Sequence, residues 1–351
     1  MRERAFKTAE LYLFNGTFTR FLGGARPADG GVPPSLSRMT LNHPRMKYFV
    51  MISLTGAFAL WLVVSGQGAQ VMTALGTLSA PLLLLLFAGM IVTYLLRALR
   101  VYYEFGDATR GRFGACLKLV LTHNALVNVL PMRAGELSFP VLLKREFGVP
   151  MMRSGGSLLW LRAQDAIILA TLSALVWPGL DSAMRMAGVS LLIIGGILLP
   201  HVAQRLLAKF STGKLGTICA ALADSAHHAR IGWVWTIANW VVKLMVLSHV
   251  FAQLLAADWR VGAAGAVGGE LAAILPVQGV AGIGSYEAGA AAALALSDIA
   301  WADGLKAAFS LHLLVLASAL VSAGMALLVS AIFRNRVALD DARTNKSSQE
   351  P

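Results

Sequence analysis

The stretch from Asn128 to Lys144, NVLPMRAGELSFPVLLK, decides how the chain is read. It sets an arginine, a glutamate and two prolines inside a strongly apolar sequence, where a membrane helix tolerates none of them. Proline removes a backbone donor and breaks the helical ladder, and a charge at the bilayer centre costs about 3 kcal/mol on insertion scales. Backbone that stops being helical at membrane depth persists only where protein buries it or where it lines a wet cavity. The stretch therefore predicts a broken helix beside an internal cavity. Pro131 ends the first arm, Gly135 permits a tight turn, and Arg133 and Glu136 sit at that turn, paired or facing water or a ligand. Asn124 and Asn128, four residues apart, put two amides on the helix face that leads into the break.

The surrounding composition sets the class. The 351 residues are 57% hydrophobic and 14% charged, with a mean hydropathy of +0.66, the balance of an all-α polytopic membrane protein. The net charge of +12 is carried between apolar segments and forms no basic run interleaved with aromatics, so it reads as a topology signal and argues against a nucleic-acid partner. Cys116 and Cys219 lie far apart in apolar surroundings, which makes a disulfide framework or a cysteine metal site unexpected, and no other metal and no cofactor is expected. Residues 1–46 are basic and lack the apolar core of a signal peptide, so they read as a cytoplasmic leader. Within them Phe6, Leu13, Phe14, Phe18 and Phe21 share one helical face; a surface-lying helix and a start codon placed upstream of Met39 or Met46 both fit.

A crossing needs about 20 apolar residues. Six segments qualify: about 47–66, 78–96, 155–177, 187–204, 232–256 and 305–333. Two more, 113–150 and 261–297, are apolar but interrupted, the first by Pro131 and Pro140, the second by Pro276 and a glycine-rich run. Read as re-entrant hairpins, they leave 1–47, 97–118, 132–162, 204–231 and 334–351 on the cytoplasmic side, with 26 of the 30 Lys and Arg. That is a strong positive-inside bias, with both termini cytoplasmic in a cell inner (plasma) membrane. The hairpins then open in opposite directions, and the halves at about 47–177 and 187–333 each run span, span, hairpin, span: an inverted-topology repeat followed by a polar tail at 334–351. NVLPMRAGE and AILPVQGVAGIGSYE echo each other, each with Leu-Pro, then glycine, then glutamate.

Other intramembrane polar residues extend the candidate site. GVAGIGSYEAG places Gly282 and Gly284 beside Ser285 and Glu287. No strand precedes it, so it is not a nucleotide loop. Free N–H groups after Gly284 suit an anionic headgroup, and a glycine-rich hairpin that simply packs is the alternative. Arg162 and Asp165 stand at i,i+3, as a structural ion pair or part of the site. Lys243 lies deep in its helix with no carboxylate one turn away; Glu270, Glu287 or an anionic ligand is its expected partner.

The order of these motifs, LPMRAGE after a polar helix, then R-x-x-D, then GIGSYEAG, resembles the transmembrane, flippase-like domain of the lysylphosphatidylglycerol synthase family over about residues 47–333. The resemblance implies a membrane domain that moves a polar-headgroup lipid between leaflets. It carries the family pattern onto Pro131, Arg133, Gly135, Glu136, Arg162, Asp165, Gly282, Gly284 and Glu287. Only 18 polar residues follow the last span, so a stand-alone member without the synthase domain is expected, and Ser285-Tyr286 before Glu287 is looser than the family's pattern. The implied substrate is an anionic phospholipid, a glycolipid, or a polyprenyl-linked or hopanoid lipid, with the bilayer and lipid-biosynthesis enzymes as partners. No catalytic cluster is evident, and an enzyme is not expected. An ion or small-solute carrier, or a non-transporting accessory subunit of a lipid-synthesis pathway, stays open as an alternative.

Overall fold

The computed structural model describes residues 66–129, 135–208, 232–275 and 278–347, with isolated positions 53, 56, 60, 63, 64 and 223. The expected leader at 1–46, most of the first expected span, and Pro131 and Arg133 of the opening stretch lie outside the described residues. What is described is helical, with no strand. The helices are α1 (Gln67–Gly76), α2 (Ala80–Glu104), α3 (Phe113–Val129), α4 (Ser138–Phe147), α5 (Met151–Val176), α6 (Ser182–Ala208), α7 (Gly232–Leu255), α8 (Trp259–Ile274), α9 (Ser285–Ala295) and α10 (Trp301–Ser347). A single helical turn, Gly106–Thr109, follows α2.

Local chemistry explains where the long helices start and stop. Pro81 occupies the first turn of α2, where its missing N–H costs nothing. Pro150 stands immediately before α5, which ends at Val176 with Trp177 as its C-cap before Pro178. Five helical segments are long and apolar enough to cross a membrane: Ala80–Glu104, Met151–Val176, Ser182–Leu199, Gly232–Leu255 and Trp301–Ser322. They match five of the six expected spans.

The short helices fall where the sequence is interrupted. At 1.5 Å per residue the ten residues of α4 and the eleven of α9 reach only about 15–17 Å, well short of the ~30 Å hydrocarbon core. Helix α9 lies against α8 in backbone contact. A Cβ added at Gly268 would stand 2.5 Å from the carbonyl oxygen of Gly289, so both positions need glycine for the arms to approach. Helix α8 also packs on α7, where Gly262 faces the carbonyl of Ser248.

Two apolar clusters hold the bundle. The larger joins Leu86 and Met90 of α2 to Leu244, Leu247 and Phe251 of α7, Leu294 of α9 and Leu311 of α10. The smaller joins Val101 and Phe105 to Leu119 and Val120 of α3, Phe139 and Leu143 of α4 and Leu161 of α5. Polar side chains gather between them.

One boundary differs from the sequence expectation. Arg97 and Arg100, counted there among the cytoplasmic charges that follow the second span, lie inside α2, which runs on to Glu104. The helix continues because Arg100 and Glu104 find partners within the protein. Arg100 donates to Asp165, Gln164 and the carbonyl of Leu161, and buried Glu104 accepts from Ser157.

Candidate functional site

A cavity of about 260 Å³ opens where the two helix breaks meet the long helices. Its lining includes Tyr94 and Arg97 of α2, Asn124 and Asn128 of α3, Arg162 and Asp165 of α5, and Lys243 of α7. Glu270 of α8, Gly282 beyond the second break, Glu136 beyond the first and His312 of α10 complete its polar wall. Arg162 and Lys243 are each the twelfth residue of helices of 26 and 24 residues, so the cavity lies about half-way along the spans.

The charges form a layered network. Glu136, on the turn at residues 135–137, accepts from Arg162 Nη2 at 2.7 and 2.6 Å and from Nε at 3.2 Å, a forked charge-assisted contact. Arg162 Nη1 also donates to Asp165 Oδ2 at 3.0 Å. The other oxygen of Asp165 accepts from Arg100 Nη1 and Trp240 Nε1, both at 3.1 Å. Asp165 is thus shared between two guanidiniums and fully engaged. Lys243 Nζ donates to Glu270 Oε2 at 2.6 Å and stands 5.2 Å from the centre of the Trp240 ring. Of the partners the sequence offered to Lys243, the fold selects Glu270.

The second break is organised differently from its expectation. Glu287 is fully buried; its Oε2 accepts from the backbone N–H of Gly284 at 2.6 Å, and its Oε1 lies 2.6 Å from His312 Nδ1. Glu287, the third residue of α9, therefore caps the N–H of Gly284 itself and sets a carboxylate at the start of the helix whose next N–H groups the sequence offered to an anionic headgroup. Ser285 turns back to the carbonyl of Gly282, while Gly282 faces His312 across the cavity wall. Ser285, Glu287, Gly284 and Gly135 support the lining from behind. Gly135 presses on the backbone of Leu126 and Val127, which leaves no room for a Cβ.

Eight of the sequence-derived site residues thus border one cavity: Asn124, Asn128, Glu136, Arg162, Asp165, Lys243, Glu270 and Gly282. Pro131 and Arg133 lie outside the described residues. Tyr94, Arg97, Trp240 and His312 also border the cavity and were not singled out from the sequence. A spacing signal points to them. Arg97 bonds Asn124 across 27 residues, and Lys243 bonds Glu270 across 27. An aromatic residue precedes each cation by three positions, Tyr94 and Trp240. Beyond the breaks, Glu136 meets Arg162 across 26 residues and Glu287 meets His312 across 25, each basic residue being twelfth in its helix.

Neither curated proteins nor solved structures yielded a match. The sequence model of the lysylphosphatidylglycerol synthase TM region matches residues 49–323. The five apolar helices and this match make the protein a multi-pass membrane protein. With most of its length matched, the chain belongs to the lysylphosphatidylglycerol synthase transmembrane-region family.

Proposed function

We propose that this protein moves a lipid with a polar headgroup between leaflets, the headgroup passing through the cavity while the acyl chains stay in the surrounding hydrocarbon. One observation carries the reading: a charged cavity half-way along apolar helices, lined by both helix breaks. Its volume of about 260 Å³ leaves room for a polar headgroup or a cluster of waters. Glu136, Asp165 and Glu270 are each held by a cation, which favours a path of balanced polarity over an enzyme's reactive base.

In this reading the segments α3–α4 and α8–α9 are re-entrant hairpins of an inverted repeat that enter from opposite faces, with both termini cytoplasmic. The matched spacings of the cavity pairs and the short reach of α4 and α9 support it. Trp177, Trp259 and Trp301, at the ends of α5, α8 and α10, suit one interfacial belt on the outer side.

The test is reconstitution into vesicles holding a headgroup-labelled phospholipid, with an impermeant reductant added outside. Loss of the protected inner-leaflet label is expected with the protein and not without it. Protection equal to that of protein-free vesicles would refute translocation of that lipid. Uptake of a soluble tracer without loss of protection would reassign the cavity to a small-solute carrier.

A further inference from the structure

Among the described residues, the cations of the cavity network are answered by carboxylates, with one exception. Arg162 faces Glu136 and Asp165, Arg100 faces Asp165, and Lys243 faces Glu270. Arg97 is different. Its Nε donates to Asn239 Oδ1 at 3.2 Å and its Nη1 to Asn124 Oδ1 at 3.4 Å, and among the described residues no carboxylate pairs with it. A guanidinium carries five N–H donors and stays charged at any physiological pH. The two amides fix its orientation and leave most of its donors open; Asp165 feels its charge at a distance but is bonded to Arg100, Arg162 and Trp240.

The molecule contains its own comparison. Lys243 stands to Glu270 as Arg97 stands to Asn124, with the same 27-residue separation and an aromatic residue three positions earlier. Where the second half supplies a carboxylate, the first supplies an amide. Asn124 is itself held, its Nδ2 directed at the Tyr94 hydroxyl and at Ser322 Oγ, both at 3.4 Å. A neutral residue in that place leaves a positive charge inside an apolar bundle, which is stable there if an anion comes to it.

Position adds a second argument. A smaller cavity of about 90 Å³ adjoins the first, and Arg97, Asn124, Val127, Arg162 and Asp165 border both. The smaller one reaches toward Arg100 and Val101 on α2, Val120 on α3 and Leu158 on α5, all toward the same end of the bundle. Arg97 therefore stands on the wall between two chambers in line along the helices. The carboxylates of that wall are engaged elsewhere.

Resting on the reading of the cavity as a headgroup path, we infer that Arg97 is the anion-binding side chain of the site, receiving a phosphate ester as it passes between the two chambers, with Asn124 and Asn239 as positioning residues. Phosphate fits because its oxygens accept the two parallel bonds that a fixed guanidinium offers. The phosphate of a lipid and that of a small soluble ester share this chemistry.

Binding to the purified full chain separates the sources and tests the residue. The probes are phosphatidylglycerol, a galactosyl diacylglycerol with the same acyl chains, and glycerol 3-phosphate. The wild type should prefer phosphatidylglycerol to the galactolipid by about tenfold to a hundredfold, the range of one charge-assisted contact. Arg97→Gln should erase the preference, and Arg97→Lys should keep only part of it. Asn124→Asp supplies the carboxylate that Lys243 already has; it should fold and lose the preference, because its own charge fills the site. Competition by glycerol 3-phosphate at similar concentration supports the anion site with a soluble source, and failure to compete supports it with a lipid. A wild type that binds both lipids equally, or a preference intact in Arg97→Gln or Asn124→Asp, overturns the inference. That failure is distinct from failure of translocation, which the vesicle measurement reads with galactolipid as well as phospholipid.

Discussion

Replacing Lys243 by Met removes the cation that faces Glu270 across 2.6 Å and leaves a carboxylate whose side chain is only 6% exposed. Losing one partner of a buried pair costs about 3–5 kcal/mol, because the remaining charge stays in low-dielectric surroundings. The reverse change is milder. Glu270→Gln leaves Lys243 over the Trp240 ring, and a cation over a desolvated ring keeps roughly 1–2 kcal/mol of attraction. Lys243→Met should therefore cost about 3–5 kcal/mol and Glu270→Gln about 2–3. The double variant should be less destabilised than the sum of the two, with a coupling of about 2–3 kcal/mol. Reversible unfolding in mixed micelles, followed by helical circular dichroism, reads all four corners of the cycle. Single variants that each cost less than about 0.5 kcal/mol, or effects that simply add, would refute the argument that the pair is held against desolvation.

Three further outcomes are expected. Gly268→Ala puts a Cβ 2.5 Å from the Gly289 carbonyl oxygen and should cost about 1–3 kcal/mol in the same unfolding measurement, whereas Gly155→Ala, with open space at its Cβ, should stay within about 0.5. Glu287→Gln weakens the contacts to Gly284 and His312 at a fully buried position and should cost about 1.5–3 kcal/mol; an unchanged melting temperature would contradict that. Lys144→Cys and Asp298→Cys, both exposed, should react with an impermeant maleimide from opposite faces of the membrane, position 144 from the cytoplasm. Labelling of both from one face would defeat the opposed hairpins.

The long apolar helices were legible because crossing a membrane demands a run of apolar residues, and their ends were marked by Pro81, Pro150 and Pro178. Charge at depth was a good guide for Glu136, Arg162, Asp165, Lys243 and Glu270, which the fold gathers around one cavity. Arg97 escaped because hydropathy falls at the same point on the chain whether a helix ends or carries its charge inward. Only Asp165, Gln164 and Ser157, from a helix some sixty residues away, show that α2 continues through Arg100 to Glu104. His312 escaped for a related reason: a lone histidine in an apolar helix has no readable role until Glu287 is placed against it. The glycine-rich run was ambiguous in sequence, and the fold divides it. Gly289 serves close packing against α8, while Gly284, at a φ of 90°, turns the chain into α9 and has its own N–H closed by Glu287. Glycine frequency alone cannot distinguish those uses, since both require only the absence of a Cβ.

If the cavity receives a lipid headgroup, a density map of the purified protein in bilayer discs containing phosphatidylglycerol will show headgroup density between Arg97, Asn124 and Lys243, continuous with acyl-chain density outside the bundle. A well-resolved cavity holding only water-sized features, with lipid confined to the outer surface of the helices, would contradict it.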